Sequence, residues 1–284
     1  MNTIKRQIAI IILCFIFALI AFVVGLWIFG LWHNEWSGYN AGAKMAISDG
    51  LCNIAVMPIL GNIIPYAGAD NDGSGNEMSP SINPDDFLEI VSMAERDKDI
   101  LGFFLRIDSG GGSPVASETI ANAVKNISLP TVALIREIGA SGAYLIATGA
   151  DEIIASPFSD IGSIGMTMSY LENTEKNAKN GLRYVSLASA RFKDYGSPDK
   201  PLTFAERSLL ERDLKIYHDH FVKMVSKNRN LPIEQVAKIA DGSSMPGALA
   251  LENKLIDFLG DQETARDWFA EKLEISSKEV IFCE

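Results

Sequence analysis

Ser141 stands in the run Gly139-Ala140-Ser141-Gly142-Ala143-Tyr144, between an apolar stretch that reads as a buried strand and small residues that open a helix. A hydroxyl there sits at the positive end of a helix dipole. Ala140, Gly142 and Ala143 leave room for a substrate backbone. Such a serine can act as a nucleophile. It can equally be an ordinary helix N-cap, and this segment alone leaves both readings open. A second run, Arg106-Ile107-Asp108-Ser109-Gly110-Gly111-Gly112-Ser113-Pro114, carries a strand into three glycines and then a helix opened by Ser113 and Pro114. Glycines let backbone N–H groups turn outward to meet a developing oxyanion. The same shape could cradle phosphate, but no Gly-Lys-Ser/Thr follows, which disfavours a P-loop. A plain strand-to-helix turn is the third reading.

Two further segments could complete an acyl-transfer site. Arg191-Phe192-Lys193-Asp194-Tyr195-Gly196-Ser197-Pro198 holds a lysine. Most lysines are solvated surface charges, but a desolvated one loses its proton more readily and can take a proton from serine. Gly162-Ser163-Ile164-Gly165 places a serine after a strand, where its hydroxyl could hold a lysine amine or simply close a turn. Histidine chemistry is disfavoured. His218 and His220 fall in a helical stretch and point to different faces, and His33 stands far from both. Neither a metal site nor a Ser-His-Asp triad is expected, and no cofactor. Cys14, Cys52 and Cys283 contain no Cys-x-x-Cys pair. A Cys52–Cys283 disulfide is open outside the cytoplasm but does not follow from two positions.

The elements that must position these residues can be read from apolar patterning. Asn53–Leu60, Ile100–Ile107, Thr131–Ile135, Glu152–Ala155 and Tyr184–Leu187 read as strands. Pro84–Asp97, Ser113–Asn126 and Ala140–Gly149 read as helices, and Gly68–Pro80 as a polar loop. Phe204–Asn228 is expected as a long amphipathic helix, with Leu209, Leu210, Leu214, Tyr217, Phe221 and Met224 on one side. Shorter helices follow near Ile233–Ala240, Gly247–Glu252 and Glu263–Lys272. Strands alternating with helices imply parallel pairing through βαβ crossovers. Residues 53–284 are expected to form one α/β domain.

Ile8–Trp32 carries no charged residue. As a helix rising ~1.5 Å per residue it reaches ~37 Å, enough to cross a ~30 Å hydrocarbon core with some tilt. A cleaved signal peptide has a shorter apolar region of about 7–15 residues, although Ala41-Gly42-Ala43 looks like a cleavage site. Lys5 and Arg6 precede the span and a mixed set, Glu35, Lys44 and Asp49, follows it. Residues 1–7 are therefore expected in the cytoplasm and everything after Trp32 across the membrane, with 33–52 as a juxtamembrane segment. The net charge of −11, with no basic face, argues against nucleic acid as a partner.

Together and in this order, Leu105–Glu118, Gly139–Ala155, Gly162–Gly165 and Lys193–Thr203 resemble segments of the signal peptide peptidase A family of serine peptidases. The resemblance runs from about Asn53 to Glu263. Ala240–Gly260 is similar to the family's closing segment, though Ser243-Ser244-Met245-Pro246-Gly247 lacks the usual Arg and Thr. The resemblance implies a Clp-protease/crotonase-like fold of repeated ββα units behind one N-terminal transmembrane helix. It implies Ser141 as nucleophile, Lys193 as general base and Ser163 as the residue that holds the lysine amine. Gly111 and Gly112 would lie near the oxyanion hole, with Gly110 where the family often has proline. The implied substrates are hydrophobic signal peptide remnants in the inner membrane, cleaved on the periplasmic side. This chain has the compact single-repeat form, which implies a homo-oligomer whose sites pair Lys193 of one copy with Ser141 of another. Rival readings are a related membrane peptidase that processes one specific membrane protein, an acyl-CoA-binding crotonase relative, and an inert anchored scaffold. The N-terminal span counts against the second, and the joint presence of Ser141, Lys193 and Ser163 against the third.

Overall fold

Three long strands, each opening on an apolar run, form the middle of one sheet: β1 (Ile54–Ile63), β3 (Gly102–Gly112) and β4 (Thr131–Ala140). The computed structural model describes residues 47–48, 50–68 and 80–283, and Ile47–Glu284 is one compact unit. The expected span Ile8–Trp32 and most of the Gly68–Pro80 loop lie outside the described residues. Among the described residues no helix is long and apolar enough to cross a membrane. The remaining strands are β2 (Ser81–Ile82), β5 (Glu152–Ala155), β6 (Asp160–Gly162), β7 (Ser244–Pro246), β8 (Phe258–Leu259) and β9 (Phe282–Cys283). The helices are α1 (Pro84–Arg96), α2 (Pro114–Lys125), α3 (Gly142–Ala147), α4 (Thr174–Lys179), α5 (Phe204–Asn228), α6 (Ile233–Ile239), α7 (Gly247–Glu252) and α8 (Gln262–Leu273).

The sheet runs β2-β1-β3-β4-β5-β8, with every neighbouring pair parallel. Parallel neighbours need crossovers, and α1, α2 and α3 supply them. Successive residues point to opposite faces, and both faces are buried. Met57, Leu105, Ile107, Ala133, Ile135 and Ile153 join the core beneath α1, α2 and α3. Their sequence neighbours Val56, Phe104, Val132, Leu134 and Ile154 pack with Phe269 of α8. Two-sided burial explains why these strands read as continuous apolar runs.

The expected ββα unit is visible in a modified form. β4 pairs through Val132–Ile135 with β5 and, after an irregularity, through Ile138–Ala140 with β6. β1 and β3 carry the same two arms in one strand each, joined across register shifts at Leu60/Asn62 and Ile107/Ser109. β7 closes β6 in the antiparallel sense, so the sheet is mixed. The strand expected at Tyr184–Leu187 does not form. Val185 and Leu187 are exposed, Leu187 at 96%, so among the described residues its apolar pattern finds neither a ladder nor a core. α5 forms as expected, but only Phe221, Val222 and Val225 of its apolar side are buried. Its Ile216 and Tyr217 remain exposed.

Cys52 and Cys283 form a disulfide, which ties the start of β1 to β9 where the two strands pair in parallel. Cross-linking positions 231 residues apart removes much freedom from the unfolded chain. Cys52→Ser is expected to lower unfolding free energy by about 2–4 kcal/mol. Thermal melts of the variant and of reduced wild type should agree. A melt unchanged by either treatment would contradict a stabilising role.

A polar cluster anchors the far side of α3. Tyr144, fully buried, donates its hydroxyl to Leu255 O at 2.9 Å, and burial pushes its pKa well up. Arg229 grips Asp257 through two hydrogen bonds of 2.7 and 2.9 Å. Glu152, at the start of β5, is raised to about 7 by burial first and by the Asp257 charge next. A carboxyl with a raised folded pKa stabilises below its unfolded value, and that stability is lost as pH rises toward the folded value. Glu152→Gln, a neutral isostere, should therefore melt higher than wild type at pH 8. The two curves should converge toward pH 4.5. A gap of equal size at both pH values would exclude titration of Glu152 as the cause.

Candidate active site

β4 ends at Ala140 and the chain reverses into α3 through Ser141, at φ 52 and ψ −123. This is a costly conformation for a residue with a Cβ. Its backbone is held firmly: Ser141 N donates to Gly162 O at 2.7 Å, and Ser141 O accepts Leu145 N at 3.0 Å. Ser141 occupies the N-cap position, yet its side chain makes no cap hydrogen bond. Of the two readings open in the sequence, the simple cap is set aside. Ser141 is half-buried and lines a cleft of about 380 Å³ with Gly112, Pro114, Ser163, His218 and Asp241.

The backbone around Ser141 is unusually close-packed. A Cβ on Gly111 would lie 2.8 Å from Gly142 N and 3.0 Å from Ser141 Cβ. A Cβ on Gly142 would lie 2.1 Å from the buried Ser117 Oγ. Only glycine fits either position. Gly111 N–H is already used, donating to Ser109 Oγ at 3.1 Å. Ser113 N donates to Ile63 O on the β1 side at 2.7 Å. Gly112 itself pairs with Ile63 of β1. Gly142 is the first residue of α3, and the first amides of a helix lack an intrahelical acceptor. Gly112 lines the cleft with Ser141, and a Cβ on Gly142 would lie 3.5 Å from Gly112 N, so the backbones of Gly112 and Gly142 lie close together beside Ser141. The sequence reading grouped Gly111 with Gly112 and did not identify Gly142 as a donor. The signal was there in principle, because the residue after Ser141 is the first of a helix.

Ser163 also has positive φ, at 48°, and shares the cleft. Its Oγ donates to Gly242 O at 3.0 Å, and its N–H to Ser243 O at 3.0 Å. Asp241 accepts hydrogen bonds from Ser243 N and Oγ, first among the causes that hold its carboxyl below the usual range. His218 faces this cleft although the sequence reading gave it no place there. His220 lies 2.9 Å from Glu118 instead, so the two histidines do point apart. Among the described residues no cluster of His, Cys, Asp and Glu could hold a metal.

Lys193 does not reach Ser141 within the chain. It is exposed in a turn, its N–H donating to Ala190 O at 3.1 Å, and it does not line the cleft. Nearby Lys200 is clamped by Asp194 and Glu206, which raises its pKa, Glu206 most of all. Glu206 also closes a capping box on Thr203 at the start of α5. Those contacts pin the turn that displays Lys193. The Lys193 amine itself has no carboxylate partner among the described residues. The segment around it is rich in uncovered apolar side chains, with Leu171 and Phe204 exposed at 86% and 87%.

A second, largely apolar hollow of about 480 Å³ adjoins the cleft and shares Pro114 and Met166 with it. Val115, Leu145, Ile216, Tyr217, Phe221 and Met224 form most of its wall.

The model of peptidase family S49 matches residues 123–276, a stretch that includes Ser141, Ser163 and Lys193. The chain is 31% identical over 197 residues to a candidate protease of Methanocaldococcus jannaschii, covering 69% of this chain and 63% of that protein. It is 28% identical over 248 residues to a candidate signal peptide peptidase SppA of Enterococcus faecium, covering 86% of this chain and 71% of that protein. The match thus spans just under two thirds of the first of these relatives. Among solved structures, a mutant of the 1510-N membrane-bound stomatin-specific protease has the same fold, with a TM-score of 0.52 at 15% identity over 82% of this chain and 93% of that one. By its family match and its relatives, the chain belongs to peptidase family S49, the signal peptide peptidase A family.

Proposed function

We propose that this chain is a membrane-anchored serine peptidase with Ser141 as nucleophile and Lys193, from a neighbouring copy, as general base. The observation that carries this is the setting of Ser141: a strained backbone, a side chain free of any cap bond, and the close-packed backbones of Gly111, Gly112 and Gly142 beside it. In the proposed reaction Ser141 Oγ adds to the scissile carbonyl carbon while its proton passes to the neutral Lys193 amine. The carbonyl electron pair moves onto oxygen, and the resulting oxyanion accepts from Gly112 and Gly142 N–H. Collapse expels the amine product, which takes the proton from Lys193, and leaves an acyl-serine. Water, deprotonated by Lys193, then releases the acid and restores Ser141. Ser163 would steady the lysine amine.

The proposed substrates are hydrophobic peptides, and the best candidates are signal peptide remnants left in the membrane. The apolar hollow beside the cleft supports this class, as does the apolar span at Ile8–Trp32. A domain beyond the cytoplasm is supported by the Cys52–Cys283 disulfide, since such bonds persist in oxidising compartments. The test is a fluorophosphonate probe applied to the full chain in membranes, followed by mapping of the labelled peptide. Labelling at Ser141, competed by an apolar peptide, is the expected result. Labelling elsewhere, or none in a chain that assembles, would overturn the assignment.

A further inference from the structure

Ser109 is a buried polar residue, 1% exposed, placed where the ladder between β1 and β3 is broken. Pairing runs from Leu60–Asp108 to Asn62–Gly111, so β3 carries an extra residue at this step, a β-bulge. The Ser109 hydroxyl fills the break. Its Oγ donates to Gly61 O at 2.6 Å and accepts Gly111 N–H at 3.1 Å. Beyond the bulge the ladder resumes at Asn62–Gly111 and Ile63–Gly112, and Ser113 N, just past β3, donates to Ile63 O at 2.7 Å. The peptide between Gly111 and Gly112 lies between these two anchors and carries the Gly112 N–H. Glycine restrains its own backbone least. A side chain at Gly110 would meet nothing within 4 Å. The orientation of this peptide is therefore set by the ladder that resumes beyond the bulge and by the Ser109 bridge that closes the break.

We propose that Ser109 is a positioning residue for hydrolysis: its hydroxyl bridge from Gly61 O to Gly111 N holds Gly112 N–H toward the oxyanion formed beside Ser141. This rests on Ser141 as nucleophile and Gly112 as one oxyanion donor. Ser109 never touches the substrate, so its loss should be felt where negative charge develops and not where the ground state binds.

The test compares the full-length wild type with Ser109→Ala, using an apolar peptide substrate, a peptide aldehyde and the matching peptide alcohol. Ser141 O–H adds across the aldehyde C=O to give a hemiacetal whose oxygen occupies the oxyanion position, whereas the alcohol makes ground-state contacts only. Removing an oxyanion donor costs about 10²–10³-fold, so mispositioning one should lower kcat by roughly 10–100-fold with KM little changed. Aldehyde affinity should fall by a similar factor while alcohol affinity holds. Unchanged kcat would overturn the proposal. Equal weakening of aldehyde and alcohol would also overturn it, because that marks a general loss of structure. Should Ser109→Ala fail to fold, Ser109→Cys, of similar volume but with a weaker donor, is read by the same ratio. A wild type that binds no aldehyde and is unlabelled at Ser141 removes the nucleophile assignment and this proposal together. Tight wild-type aldehyde binding beside an unaffected Ser109 variant removes this proposal alone.

Discussion

Ser141→Ala is expected to lower kcat by on the order of a millionfold, as loss of the nucleophile does in other serine hydrolases, while the fold survives. Losing a helix cap typically costs about 1 kcal/mol, but Ser141 makes no cap hydrogen bond, so the melting temperature should move less than that cost implies. Alanine keeps a Cβ and thus keeps the local strain at φ 52. The check is peptide hydrolysis beside a thermal melt. Activity near wild type, with contaminants excluded, would exclude Ser141 as nucleophile. Collapse of the melt would show that the hydroxyl has a structural role that the geometry does not account for.

The sequence made the central strands legible because Ala55 to Met57, Phe103 to Leu105 and Thr131 to Ile135 are buried on both faces. Double burial leaves an apolar run that no loop can imitate. Helix ends were legible where caps are written in residue types, as at Asn83-Pro84, Ser113-Pro114 and Thr203 with Glu206. The short strands β6 and β7 were missed. They hold three residues each, too few for periodicity to register. Tyr184–Leu187 has a strand's residue types, but pairing is a property of neighbours, and among the described residues that segment has none. At the site, Ser141 was ambiguous from its own neighbours. Its hydroxyl is distinguished by backbone dihedrals and a missing cap bond, neither of which is a residue type. The roles proposed for Ser109 and Gly142 depend on a bulge and on register, which no local pattern specifies. The presence of His218 in the cleft depends on how α5 packs.

Mixing two inactive chains should restore activity. Lys193 is exposed and makes no hydrogen bond to Ser141, so under the proposed mechanism a lone chain would hold the nucleophile without its base. The uncovered apolar residues Leu171, Leu182, Val185, Leu187 and Phe204 lie on the same segment or at its end. A second copy packed there would bury them at about 25 cal/mol per Å² of apolar surface removed from water. The same packing would carry Lys193 into a neighbour's cleft, next to Ser141 and Ser163. There the amine would leave water, as a general base that must be neutral requires. Arginine cannot take this role, because guanidinium stays charged, so Lys193→Arg should be nearly inactive. Ser141→Ala and Lys193→Ala chains should each be inactive alone. In mixed oligomers some interfaces unite an intact Ser141 with an intact Lys193. With equal input and random pairing about a quarter of the interfaces would, which against two dead parents is a gain of several orders of magnitude. Dilution should abolish wild-type and mixed activity in parallel, with assembly followed by light scattering. A mixture that stays dead although mixed oligomers form would mean that each subunit completes its own site, by a movement of the Lys193 turn toward Ser141 within one chain.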